Sequence, residues 1–122
     1  MKYILATLIM LGCVSAIFAQ DTISLQQVKS RIGDSITVCG RIDDTRYLVT
    51  ADNSPTFLNI GGSYPKQLLT VVIWGDIREK LKGKPELDFK NKSVCVSGKI
   101  EFYKASPQIV IHNVEQLKLQ PD

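Results

Sequence analysis

From Ser35 onward, hydrophobic and polar residues alternate with a period of two, as in strands that bury one face. In Ser35–Ile42 the apolar Ile36, Val38 and Ile42 share one side with Gly40, while Thr37, Cys39 and Arg41 take the other. Asp43-Asp44 reads as a turn, and Arg46–Thr50 as the start of a second strand. That strand is interrupted at Asp52-Asn53-Ser54-Pro55 and resumes over Thr56–Ile60. Gly61-Gly62-Ser63-Tyr64-Pro65 is a loop by composition, and Thr70–Trp74 is the most apolar strand. Asp76-Ile77-Arg78-Glu79 has capping-box spacing and opens a helix that Gly83 and Pro85 stop near Leu81. Ser93–Tyr103 is a long alternating fourth strand and Gln108–Ile111 the fifth. Glu115–Leu119 either continues the pairing or trails off. Ahead of Ser35 the period differs. Ser24 can cap a short helix with Gln27 three residues on, Gly33 can end it, and Leu25, Val28 and Ile32 share one face. That helix reads as a lid or plug.

Five strands with a helix between the third and fourth suit a small closed barrel. The first and fourth strands carry matching text, Val38-Cys39-Gly40-Arg41-Ile42 against Val94-Cys95-Val96-Ser97-Gly98-Lys99-Ile100. Each has a glycine where a strand can bend without a side chain in the way. The helix position favours an OB-fold over an SH3-like barrel. The expectation is an all-β, five-stranded OB-fold Greek-key barrel with a short N-terminal helix and a helix between strands three and four.

The first residues stand apart from this pattern. Lys2 precedes an uncharged, mostly apolar stretch from Ile4 to Phe18, and small Ala19 precedes polar Gln20 and Asp21. That order is a secretory signal peptide, 1–19, cleaved after Ala19, and leaves 20–122 as one domain. The run is short for a membrane span of about 20 apolar residues, so no stable span is expected. The rival is a lipoprotein anchored at Cys13 through the imperfect lipobox Met10-Leu11-Gly12-Cys13, which the apolar Val14–Phe18 after the cysteine disfavours. The 122 residues, 44% hydrophobic and 22% charged, suffice for one small globular domain and exclude a multidomain enzyme. The net charge of +3 falls to +2 once Lys2 is removed, which permits an anionic partner without making a polycation. Of the three cysteines, Cys39 and Cys95 remain. An even count in an exported domain favours a disulfide over two buried thiols.

The text from Gly33 to Leu119 resembles the OB-fold nucleic-acid-binding family, in particular its tRNA-anticodon-binding type. The carrying segments are Gly33–Ile42, Thr56-Phe57-Leu58-Asn59-Ile60, Lys92–Ile100 and Pro107–Ile111. The resemblance implies that Phe57 stacks on a base. Asn59 stands where that type has an acidic residue and Gly61-Gly62 replaces its basic loop, departures that, with export, argue against tRNA. The overall plan is also similar to small exported bacterial OB-fold proteins, without a diagnostic motif. Secreted nucleases of the staphylococcal type use the same barrel, but their carboxylates and paired arginines are not recognisable here.

No catalytic constellation stands out. The lone His112 lacks a partnering motif and reads as a surface residue; no metal-ligand spacing and no phosphate-cradling glycine loop occur. No enzyme activity, cofactor or metal is expected. OB-folds bind with the outer face of strands two and three and the flanking loops. With Leu58 and Ile60 inward, Phe57 and Asn59 point outward onto that face, or else form a small apolar cluster under the Gly61–Leu69 loop. Arg46 and Tyr47 border one flanking loop, Tyr103 and Lys104 open the other, and Trp74 is either a further aromatic or a core plug. Lys80, Lys82, Lys84, Lys90 and Lys92 are interspersed with acids and read as a solvated face. Aromatics with nearby cations suit single-stranded nucleic acid, DNA or RNA, because every base has a stacking face. The alternative is a small molecule, an oligosaccharide or a protein partner; the protein is expected to be monomeric. Strands one and four are neighbours in such a barrel, and Cys39 and Cys95 share the outward parity. A Cys39–Cys95 bridge therefore follows, with Cα atoms within roughly 4.4–6.8 Å.

Overall fold

A computed structural model describes residues 21–121; the expected signal peptide, 1–19, and Cys13 lie outside them. The chain forms β1 (Thr22–Ile23), a 3-10 helix (Leu25–Arg31), β2 (Ser35–Tyr47), β3 (Thr56–Ile60) and β4 (Leu69–Ile73). Then follow α1 (Gly75–Lys80), α2 (Pro85–Asp88), β5 (Ser93–Lys99), β6 (Glu101–Tyr103), β7 (Ser106–Val110), a 3-10 turn (Val114–Gln116) and β8 (Leu117–Leu119). The strands make one mixed sheet in the order β6-β7-β4-β3-β2-β5-β8, with β1 parallel to β2. All ladders on this path are antiparallel except β4 with β7. The protein is all-β as expected, but its ladders trace an open path rather than a closed ring of five strands.

The alternation in the sequence builds the core. Ile36, Val38 and Ile42 of β2 meet Leu58, Ile60, Val71, Ile73, Val94, Val96 and Ile109, all fully buried or nearly so. Each such side chain contributes about 1.5–3 kcal/mol of transfer free energy. Gly40 lies where β3 and the 3-10 helix both approach β2 closely. A Cβ there would stand 2.6 Å from Ile60 Cγ2 and 2.9 Å from Leu25 Cδ1, so only glycine lets the helix seat on the sheet. Gly98 is matched in the same way against Ile109 Cγ2 at 2.7 Å.

Several boundaries differ from the sequence reading. Asp43-Asp44 is a β-bulge inside one thirteen-residue strand, not a turn. The ladder steps from Ile42↔Ile60 to Asp44↔Asn59, so Asp43 is the extra residue. Arg46 and Tyr47 therefore end the first strand instead of starting the second. The leading helix has 3-10 geometry, in which side chains repeat every three residues. Leu25 and Val28 fall on its inner side, while Ile32, expected on that face, is 39% exposed. Gln27 reaches back to the Ser24 amide at 3.0 Å, the half of the capping box that forms. The fourth strand breaks at Ile100, whose amide donates to Asp34 O (2.9 Å) and whose carbonyl accepts from Gly33 N (2.7 Å). A second short helix, α2, follows α1 with Pro85 in its first turn.

Cys39 and Cys95 face each other across the β2–β5 ladder and form a disulfide. Their Cα atoms are 4.0 Å apart, shorter than the expected window, on residues directly opposed in the antiparallel ladder. A disulfide is compatible with an extracellular or periplasmic location. Among the described residues no helix is long and apolar enough to cross a membrane.

Candidate ligand groove

The bulge at Asp43 decides which side chains reach the outer face of the sheet. Before it, the even-numbered residues of β2 point inward. After it, Thr45 opposes buried Leu58 and Tyr47 opposes buried Thr56, so the odd-numbered ones do. Asp44 and Arg46 are thereby placed outside, beside Asn59 and Phe57 of β3. Tyr103 and Lys104 reach the same face from the β6–β7 hairpin. Its two-residue turn, Lys104-Ala105, has positive φ at both positions (48° and 63°), the type I′ geometry that matches strand twist.

Together these residues line a groove of about 550 Å³, with Leu48, Tyr64, Gln67, Thr70, Pro107 and Gln108 among its other walls. Five of the six predicted residues converge there: Arg46, Phe57, Asn59, Tyr103 and Lys104. Phe57 is half-buried, whereas Tyr103 is 57% and Tyr64 70% exposed. Lys104 Nζ lies 5.4 Å from the Tyr103 ring centre.

Asn59 is outward by parity but is not open to solvent; at 4% exposure it forms part of a polar floor. Its Nδ2 donates to Asp44 Oδ2 (3.2 Å), and its Oδ1 accepts from Thr70 Oγ1 (2.9 Å), which in turn accepts from Gln67 Nε2 (3.0 Å). The direction of this relay is forced. An ionised Asp44 only accepts, so the Asn59 amide must turn its NH2 toward it; Thr70 must then donate to Asn59 and accept from Gln67. Gln67 Oε1 is left buried and without a hydrogen-bond partner among the described residues. Asp44 Oδ2 also accepts the Tyr64 amide (3.1 Å), and Asp43 Oδ2 the Gly62 amide (2.8 Å), so the two aspartates tie the Gly61–Leu68 loop to β2. The segment under that loop is thus a hydrogen-bonded polar cluster rather than an apolar one.

Tyr47, the sixth predicted residue, is not in the groove. Pointing inward beyond the bulge, it lines a separate cleft of about 760 Å³ with Asn53, Ser54, Trp74, Asp76, Arg78 and Glu79. Arg78 covers its ring at 3.6 Å, donates to Glu86 through both terminal nitrogens (2.6 and 3.1 Å) and to Thr56 Oγ1 (3.0 Å). Burial pushes the Glu86 carboxyl up, but the Arg78 hydrogen bonds and nearby positive charge outweigh it and hold it below the usual carboxylate range. Hydrogen bonding to Glu86 raises Arg78 in turn. Trp74, 37% exposed on this cleft, is not a core plug. Among the described residues no group of His, Cys, Asp and Glu could hold a metal ion.

The sequence reading missed Asp44, Tyr64, Gln67 and Thr70. Tyr64 alone left a signal, an aromatic inside a glycine-rich loop beside the strand that carries Phe57. The other three are tied to the site only by contacts between distant segments.

No protein-family model and no curated protein matches the chain. Among solved structures, it is similar to a crystal structure described as an aspartyl-tRNA synthetase from Leishmania major Friedlin, with a TM-score of 0.55 at 8% identity. The match covers 87% of this chain but 22% of that one, so this protein spans less than a quarter of its structural neighbour. What the two have in common at that identity is the fold alone.

Proposed function

We propose that this chain is an exported, non-catalytic OB-type binding module, monomeric once residues 1–19 are removed, whose ligand is single-stranded nucleic acid. The barrel reading is supported by the connection between β5 and β6. They are consecutive in the chain across Ile100 yet lie near opposite ends of the sheet path, so the backbone itself spans the gap. The observation that carries the function is the meeting of three aromatic side chains, Phe57, Tyr64 and Tyr103, with the cations of Arg46 and Lys104 in one groove. Flat rings offer stacking platforms for bases of any sequence, and cations beside them track the phosphates. The structural neighbour's description as a tRNA synthetase agrees with a nucleic-acid partner without specifying one.

With few basic groups, binding should be weak to moderate and fall as salt rises. Fluorescence anisotropy of a labelled single-stranded oligonucleotide, at low and at physiological salt, tests this. Saturable binding that weakens with salt supports the proposal, and folded protein that leaves the probe free at both salts removes it. The second reading, a neutral polyhydroxylated ligand such as an oligosaccharide, is favoured by the carboxylate and amides of the groove floor. It predicts binding that does not respond to salt.

A further inference from the structure

We infer that Asp44 is the selectivity element of the groove, and that the strand it admits must present an uncharged N–H or O–H donor beside the Phe57 platform. This rests on the nucleic-acid reading above. Both hydrogen bonds that hold Asp44, from Asn59 Nδ2 and from the Tyr64 amide, fall on Oδ2. Among the described residues Oδ1 has no hydrogen-bond partner, and neither Arg46 nor Lys104 forms an ion pair with the carboxylate, although all three line the groove. A carboxylate is thus fixed in place by one oxygen while the other is left to accept.

The relay behind it makes the arrangement rigid. Gln67 donates to Thr70, Thr70 to Asn59 and Asn59 to Asp44, so a continuous chain of hydrogen bonds fixes the position of the carboxylate. The groove wall therefore presents a carboxylate acceptor one same-face step along β2 from Arg46, the ladder partner of Phe57. Such a wall repels a phosphate oxygen or a base carbonyl and rewards a donor. Donors on a nucleic acid that meet the requirement are the exocyclic amino groups of cytosine, adenine and guanine and the ribose 2′-hydroxyl. Thymine in DNA meets it least, because its single N–H lies between two carbonyl oxygens that a carboxylate repels.

The test uses oligonucleotides of about 12 nucleotides, within the usual span of one OB-fold. Oligo(dC), oligo(dT) and oligo(rU) are titrated by anisotropy against the exported, disulfide-bonded protein. The expected result is that oligo(dC), oligo(rU) or both bind about tenfold more tightly than oligo(dT), the factor for one charge-assisted hydrogen bond. Preference for oligo(dC) assigns the base amino group, and preference for oligo(rU) the 2′-hydroxyl. In Asp44→Asn an amide replaces the groove-facing acceptor and the charge is gone, so the ratio should collapse or invert in favour of oligo(dT). Equal affinity for all three in the native protein overturns the inference while leaving the nucleic-acid reading intact. An unchanged ratio in folded Asp44→Asn overturns it as well. Absence of binding by all three overturns both.

Discussion

Near the end of β2, Arg78 joins Glu86, the Thr56 hydroxyl and the Tyr47 ring, and its removal should destabilise the fold sharply. Arg78→Met keeps the apolar stem but deletes two hydrogen bonds to Glu86, one to the buried Thr56 hydroxyl, and the cation over Tyr47. The pair is largely sequestered, with 12% and 16% of the two side chains exposed. Breaking a fully buried pair costs about 3–5 kcal/mol and an exposed one about 0–1 kcal/mol. For this intermediate case, with the Thr56 hydroxyl also stripped of its partner, about 2–3 kcal/mol is expected. In a domain of this size that lowers the Tm by about 10–20 °C. Thermal melts of Arg78→Met, Glu86→Gln and the double variant form a cycle whose coupling should be about 1–2 kcal/mol. The effect is also pH-dependent. Glu86 titrates below its ordinary value in the folded state, so the unfolded chain takes up its proton first as pH falls. The stabilisation is complete above pH 4.5 and is lost as pH drops through the folded-state value, a decline that Arg78→Met should flatten. A Tm for Arg78→Met within 2 °C of native protein on this scale (about 0.5 kcal/mol or less), or zero coupling, would refute the reasoning.

Gly40→Ala should cost about 1–3 kcal/mol, since its methyl would meet Ile60 Cγ2 at 2.6 Å; a Tm equal to the native value would place slack where the structure has none. Loss of the Cys39–Cys95 bridge, which closes 56 positions of chain, should cost on the order of 4 kcal/mol at most. Urea unfolding of the Cys39→Ser, Cys95→Ser double variant reads that loss directly, and coincident midpoints with native protein would show the bridge to be energetically idle.

The main strands are legible in the sequence because burial on one face imposes its own period. Ile36, Val38, Ile42, Val94 and Val96 are buried, while residues that alternate with them, Thr37, Cys39, Cys95 and Ser97, are only half-buried. The Cys39–Cys95 pairing follows from the same parity. What stays hidden depends on contacts between segments. Two consecutive aspartates have the composition of a turn, and only the register against Ile60 and Asn59 makes them a bulge. Consecutive strand residues face opposite sides, so Arg46 and Tyr47 cannot both reach the groove, and the extra residue sends Arg46 outward and Tyr47 inward. The relay from Gln67 to Asp44 draws on β2, β3, β4 and the intervening loop, so no local pattern announces it. The hairpin at Lys104-Ala105 carries no glycine to mark its positive φ values.

Stacking of a bound strand on Phe57 is read from one side-by-side titration. A labelled single-stranded oligonucleotide is titrated with native protein and with Phe57→Ala, both verified as folded by circular dichroism. Because Phe57 is half-buried, the variant should lose some stability yet remain folded. Loss of one base–aromatic stack costs about 1–3 kcal/mol, so the Kd should rise about 5- to 150-fold. Equal Kd values for the two folded proteins would contradict stacking on Phe57.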